Sequence, residues 1–124
     1  MKSIVIDDSR PIRRMLCRYM HDLGMETLEA EDGCDALIRL GQEDPSGIGL
    51  ALLDWNMPGM TGIEFLVEIR SCVAYQHLKI MMVTSNNEPE DLEQALELGA
   101  NEFLMKPFDE EMLQDKLRIL GILN

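Results

Sequence analysis

Short apolar runs alternate along the chain with stretches whose apolar residues recur at helical spacing. Ile4-Val5-Ile6 ends in Asp7-Asp8, Leu50-Ala51-Leu52-Leu53 in Asp54, and Ile80-Met81-Met82-Val83 in Thr84. A weaker run, Phe103-Leu104-Met105, ends in Lys106-Pro107. Short, nearly unbroken apolar runs predict strands buried on both faces, the habit of parallel sheets. Residues 25–30 carry Glu26 and Glu29 and predict an exposed edge strand instead.

Between these runs the period changes to that of a helix. Ser9 can cap a first helix with Pro11 in its opening turn, Ile12, Met15, Leu16, Tyr19, Met20 and Leu23 on its buried side and Gly24 closing it. A second helix is predicted over 33–42 on Cys34, Leu37, Ile38 and Gly41, and a third over 62–72 on Ile63, Leu66, Ile69 and Val73. A fourth, over 89–98, packs through Leu92, Ala95 and Leu96 and stops at Gly99; a fifth spans 109–120. The chain is thus a strand–helix unit repeated five times, (βα)5. Right-handed crossovers between parallel strands put helices on both faces of the sheet, so the expected fold is α/β, a doubly wound three-layer sandwich.

A length of 124 residues predicts a single domain over 1–124, with no linker and no output domain after the last helix. Eleven Lys and Arg against 23 Asp and Glu leave a formal charge of −12, which repels phosphate backbones and anionic membranes and argues against direct nucleic-acid binding. Cys17, Cys34 and Cys72 show neither zinc-site spacing nor the density of a disulfide scaffold. No apolar leader or membrane-length segment is evident, so a soluble cytoplasmic protein is expected. His21 and His77 lack a matching base or nucleophile and are assigned to the surface. The ten methionines are spaced mostly as core, and Trp55 is expected at the rim of the site beside Asp54.

In open α/β sheets the binding crevice lies at the carboxyl ends of the strands. Asp7, Asp8 and Asp54 would meet there and raise one another's pKa values unless a cation intervened. An all-oxygen donor set with few protein ligands suits Mg²⁺, and the absence of His and Cys disfavours zinc or copper. The alternative is that Asp7 and Asp8 only cap the first helix. An aspartate beside Mg²⁺ can attack a phosphoryl group and form an aspartyl phosphate, with Lys106 and the Thr84 hydroxyl helping to hold its charge.

Taken together, Ile4-Val5-Ile6-Asp7-Asp8-Ser9, Asp54-Trp55-Asn56-Met57-Pro58-Gly59-Met60, Val83-Thr84-Ser85 and Lys106-Pro107-Phe108 make the chain resemble the receiver domains of bacterial two-component response regulators. The similarity is greatest to the single-domain chemotaxis type. The resemblance implies a flavodoxin-like strand order 2-1-3-4-5, with Asp54 as phosphoacceptor. It implies that Asp7, Asp8, Asp54 and the Asn56 backbone carbonyl hold Mg²⁺. It also implies that Thr84 binds the phosphoryl group, that Lys106 pairs with it, and that Lys106-Pro107 is a cis peptide. Thr84 and Phe103 would form the switch, although Phe103 reads equally as plain core, and Asn56 and Asn86 would tune phosphoryl lifetime.

The implied function is a stand-alone response regulator that receives its phosphoryl group from a histidine kinase and signals by binding a target protein, in chemotaxis or motility. On this reading it is no enzyme beyond its own phosphorylation and dephosphorylation at Asp54. The target would be a flagellar switch protein, or, if the chain is a phosphorelay intermediate, a histidine phosphotransfer protein. Two other classes remain: a small Mg²⁺-dependent aspartyl-phosphate phosphatase and a flavin carrier on the same topology. The first lacks an evident substrate cap. The second lacks a phosphate-cradling loop after the first strand, which turns acidic instead.

Overall fold

The computed structural model describes residues 1–124 and arranges five parallel strands in the order 2-1-3-4-5. The strands are β1 (Lys2–Ile6), β2 (Glu26–Ala30), β3 (Ile48–Asp54), β4 (Lys79–Thr84) and β5 (Glu102–Met105). The helices between and after them are α1 (Arg10–Asp22), α2 (Gly33–Leu40), α3 (Gly62–Arg70), α4 (Pro89–Glu97) and α5 (Glu110–Ile119). The predicted doubly wound sandwich and its strand order are both present.

Burial explains the strand order. The inner strands β1, β3 and β4 are buried almost throughout, whereas β2 at one edge buries only Ala30. Alternate side chains then divide between two cores. Ile4, Ile6, Ala51 and Leu53 point into a core of 19 buried residues shared with Ala36, Phe65, Leu66 and Ala95, so it lies under α2, α3 and α4. Val5, Leu52, Val83 and Leu104 face a smaller core of 10, under α1 and α5, with Leu16, Met20, Leu113 and Leu117. Period-2 alternation on strands covered by helices produces this split.

Local signals set the helix ends. Ser9 caps α1 by accepting from the Ile12 N–H, and Gly24 closes it at φ +83°, where a side chain would be strained. Thr61 and Glu64 form a reciprocal capping box that starts α3. At its other end Arg70 replaces further helix with a clamp. Its guanidinium donates to the carbonyls of Gly99 (3.0 Å), Tyr75 (3.0 Å) and Leu78 (2.6 Å) and to Asn101 Oδ1 (2.9 Å). The clamp ties the end of α3 to the segments entering β4 and β5.

Three buried faces differ from expectation. In α2 the buried residues are Gly33, Ala36 and Leu40, while Cys34 and Ile38 are exposed and Gly41 lies outside the helix. Small residues let that face approach the sheet closely, and hydrophobic periodicity does not register them. Val73 is 81% exposed because α3 ends at Arg70 and the chain turns through a 3₁₀ segment, Val73–Tyr75, that buries Tyr75 instead. Leu96 is 48% exposed: α4 seats Ala95, flanked by Leu92 and Leu98. Residues 95 and 96 straddle residue 92 on the helical wheel, and the sheet lies on the Ala95 side.

Candidate functional site

Each reactive residue sits where a strand's hydrogen-bond ladder runs out. The Asp7 N–H donates to the Ala30 carbonyl (3.1 Å), Trp55 N–H to Val83 (3.2 Å) and Lys106 N–H to Thr84 (2.9 Å). These bonds continue the parallel pairing past the last strand residues and fix the backbone under Asp7, Asp54 and Lys106. The start of α3 presses on the same place. The Gly62 N–H donates to the Trp55 carbonyl (3.0 Å), and a Cβ on Gly62 would stand 2.4 Å from the Asp54 carbonyl oxygen.

The outcome is a cluster of carboxylates. Oxygens of Asp7, Asp8 and Asp54 all lie within 4.8 Å of one another, with Asp7 and Asp54 buried and Asp8 exposed. Burial pushes the Asp54 carboxyl up to about 6, the Asp7 charge pushes the same way, and the Lys106 ammonium opposes both. Burial likewise raises Asp7 against the Ser9 N–H, which donates to Asp7 Oδ1 at 2.8 Å. Asp7 Oδ2 is buried without a hydrogen-bond partner. An orphaned carboxylate oxygen in a cluster of hard donors is what a cation with oxygen preference requires, so the residues present fit Mg²⁺. The alternative role for these acids, capping α1, belongs to Ser9.

Of the other expected residues, Lys106 contacts the cluster directly. Lys106 Nζ stands 3.3 Å from Asp54 Oδ1, and the Lys106-Pro107 bond is cis. Thr84 is buried, and its Oγ1 accepts from the Asn86 N–H at 2.9 Å. Asn56 is exposed on the loop after Asp54, and Trp55 beside it is half-buried. Phe103 is 9% exposed and packed in the larger core, paired in register with Met82. Asn86 is turned towards α4, its Nδ2 donating to Asp91 Oδ2 at 2.9 Å. His21 and His77 are both exposed, and His77 stacks on Tyr75.

Arg13 escaped the sequence reading. It joins Asp7 to the edge strand, donating through Nη1 to the Asp7 carbonyl (2.8 Å) and through Nε to Glu29 (3.1 Å). Its only signal was a position on α1 one turn from the strand end. An open cleft of about 470 Å³ begins at Asp8 and is lined by Arg10, Arg13, Arg14, Glu31 and Arg39 among others, with Ala30 as its one apolar residue. The cluster is therefore approached across a polar surface.

Residues 4–118 match the family model described as the response regulator receiver domain. The chain is 37% identical over 118 residues to the chemotaxis protein CheY-3 of Vibrio cholerae, covering 94% of this chain and 88% of that one. It is 36% identical to the chemotaxis protein CheY of Pseudomonas aeruginosa, covering 94% and 93%. Among solved structures, the chemotaxis protein CheY4 of Vibrio cholerae is similar at a TM-score of 0.88 and 34% identity, covering 95% of this chain and 96% of that one.

Proposed function

This chain belongs to the response regulator receiver domain family, and from that premise we propose that it is a stand-alone chemotaxis-type regulator switched by phosphorylation of Asp54. The observation that carries the reading is the cluster itself: three carboxylates within 4.8 Å, one oxygen of Asp7 orphaned, and Lys106 on Asp54. Asp7, Asp8, Asp54 and the Asn56 carbonyl would hold Mg²⁺. When bound, Mg²⁺ would neutralise charge on the transferring phosphoryl oxygens.

The rest falls to the chain's own groups. A carboxylate oxygen of Asp54 attacks phosphorus; the bond to the donor's leaving atom breaks, and that atom leaves with the electron pair. Asp54 must be ionised to attack, and with its carboxyl pushed up to about 6 it is largely so at neutral pH. Lys106 then pairs with the new phosphoryl oxygens, and Thr84 donates its hydroxyl to one of them. Turning Thr84 moves the loop before α4, so local charge becomes a change of surface. Asn56 and Asn86 would set the lifetime of the group.

The donor is a histidine kinase, and the polar approach past Asp8 suits a protein donor. The target is a flagellar switch protein, a choice favoured by similarity along most of the length of chemotaxis proteins.

Incubation with Mg²⁺ should change Trp55 fluorescence, and acetyl phosphate should then add one hydroxylamine-labile phosphoryl group by mass spectrometry. Asp54→Asn should take up none. An unmodified wild-type chain, or an adduct that survives in Asp54→Asn, would sink the reading.

A further inference from the structure

The helix nearest Thr84 begins without a cap of its own. Glu88 stands at the N-cap of α4 but makes no side-chain hydrogen bond to it, and Pro89 has no N–H to offer. Asn86 instead braces the chain as it enters the helix. Its Oδ1 accepts from the Glu88 N–H at 3.0 Å, and its Nδ2 donates to Asp91 Oδ2 at 2.9 Å in the first turn of the helix. Its own N–H donates to Thr84 Oγ1 at 2.9 Å. A continuous line of hydrogen bonds therefore runs from Asp91 through Asn86 to the Thr84 hydroxyl.

Asp91 is suited to anchor that line. It is half-buried, and in the first helical turn its negative charge is favoured by the helix dipole, so it stays put as an acceptor. A charged acceptor also makes the Asn86 amide bond one of the stronger kind. With both ends of its amide engaged, Asn86 cannot rotate freely. Its backbone N–H is thereby aimed at Thr84 Oγ1.

We infer that Asp91 is a positioning residue that sets the resting state of the switch, by holding Asn86 so that the Thr84 hydroxyl is kept in its unphosphorylated orientation. The inference rests on the reading that Thr84 engages a phosphoryl group on Asp54. Turning Thr84 towards that group withdraws Oγ1 from the Asn86 N–H, so part of the phosphoryl-binding energy is consumed in breaking the line. By linkage, weakening the line from its far end must tighten binding of a phosphoryl mimic.

The test uses Mg²⁺ and beryllofluoride, a tetrahedral mimic of the phosphoryl group, titrated against Trp55 fluorescence. Asp91→Ala should bind beryllofluoride about fivefold more tightly than wild type, roughly the weight of one hydrogen bond. Asp91→Asn, which keeps an acceptor for Asn86, should fall between the two. In a Thr84→Ala background, Asp91→Ala should change nothing. In the free protein, Asp91→Ala should speed hydrogen exchange of the Asn86 N–H about fivefold, a readout independent of phosphoryl chemistry. An equal change with and without Thr84, or an unchanged Asn86 exchange rate, overturns the inference while leaving the phosphoryl reading intact. A wild-type chain that ignores beryllofluoride overturns that reading, and the inference falls with it.

Discussion

Asp54 is held in surroundings that oppose its charge: 4% exposed, within reach of Asp7, and relieved only by one ammonium at 3.3 Å. Its carboxyl titrates at about 6 in the fold against 3.8 when unconstrained, so the folded state binds the extra proton between those values. Stability from this group is full below about 4 and lost as the pH rises through about 6, a difference on the order of 2–3 kcal/mol. Asp7 is shifted in the same direction. Asp54→Asn should therefore be more stable than wild type at neutral pH without Mg²⁺, with the gap closing as the pH falls to about 4. Urea unfolding of both proteins at the two pH values checks this; a gap independent of pH would contradict it. Mg²⁺ at neutral pH should raise the wild-type midpoint through binding to the folded state alone, and raise it less in Asp7→Asn.

Gly62 makes a second residue-scale case. Any side chain there meets the Asp54 carbonyl and the Trp55 backbone, neither of which can move without displacing the carboxylate. Gly62→Ala should lower the yield of phosphorylation by acetyl phosphate and destabilise the fold by about 1–3 kcal/mol, although alanine is the better helix former. The reactive residues were legible because each ends an apolar run. Gly62, the Ser9 N–H, Arg13 and Asp91 were not, because their contacts depend on how the short loops at the strand ends fold back, which hydrophobic periodicity does not record.

At the scale of elements, all five strand–helix units could be read from periodicity and turn residues, and the boundaries fell close to those observed. What could not be read was which neighbouring turn of a helix meets the sheet. Ala36 does so because it is small, and scoring by hydrophobicity favours Ile38 beside it; in α4 Ala95 packs as expected, and the same scoring wrongly added Leu96. The correction has an experimental consequence in α3 and the turn after it. Val73→Ser should alter unfolding free energy by less than about 0.5 kcal/mol, whereas Ile69→Ala, at a site 1% exposed, should cost about 2–5 kcal/mol. Chemical denaturation distinguishes the two, and a large effect at Val73 would mean that its side chain has a partner.

The whole molecule divides its chemistry and its anchorage between opposite ends of one sheet. Carboxylates, Thr84 and Lys106 gather at the carboxyl ends of the strands, while the Arg70 clamp binds the segments that lead into β4 and β5. Arg70 spends its charge on neutral acceptors, so Arg70→Leu leaves several of them unpaired and should cost about 3 kcal/mol in chemical denaturation. With a formal charge of −12 the chain also repels itself, and moderate salt should raise its melting temperature by screening.

The clamp gives β4 and β5 the mechanics of a cantilever. Both are rooted where they enter the sheet, and both carry their working residues at the far tip. A beam fixed at its root answers a load at the tip by bending and springs back when the load is removed; it does not slide. On the proposed switch, the pairing of Met81 with Glu102 near the root would be common to both states, and the deflection would fall on Thr84 opposite Met105.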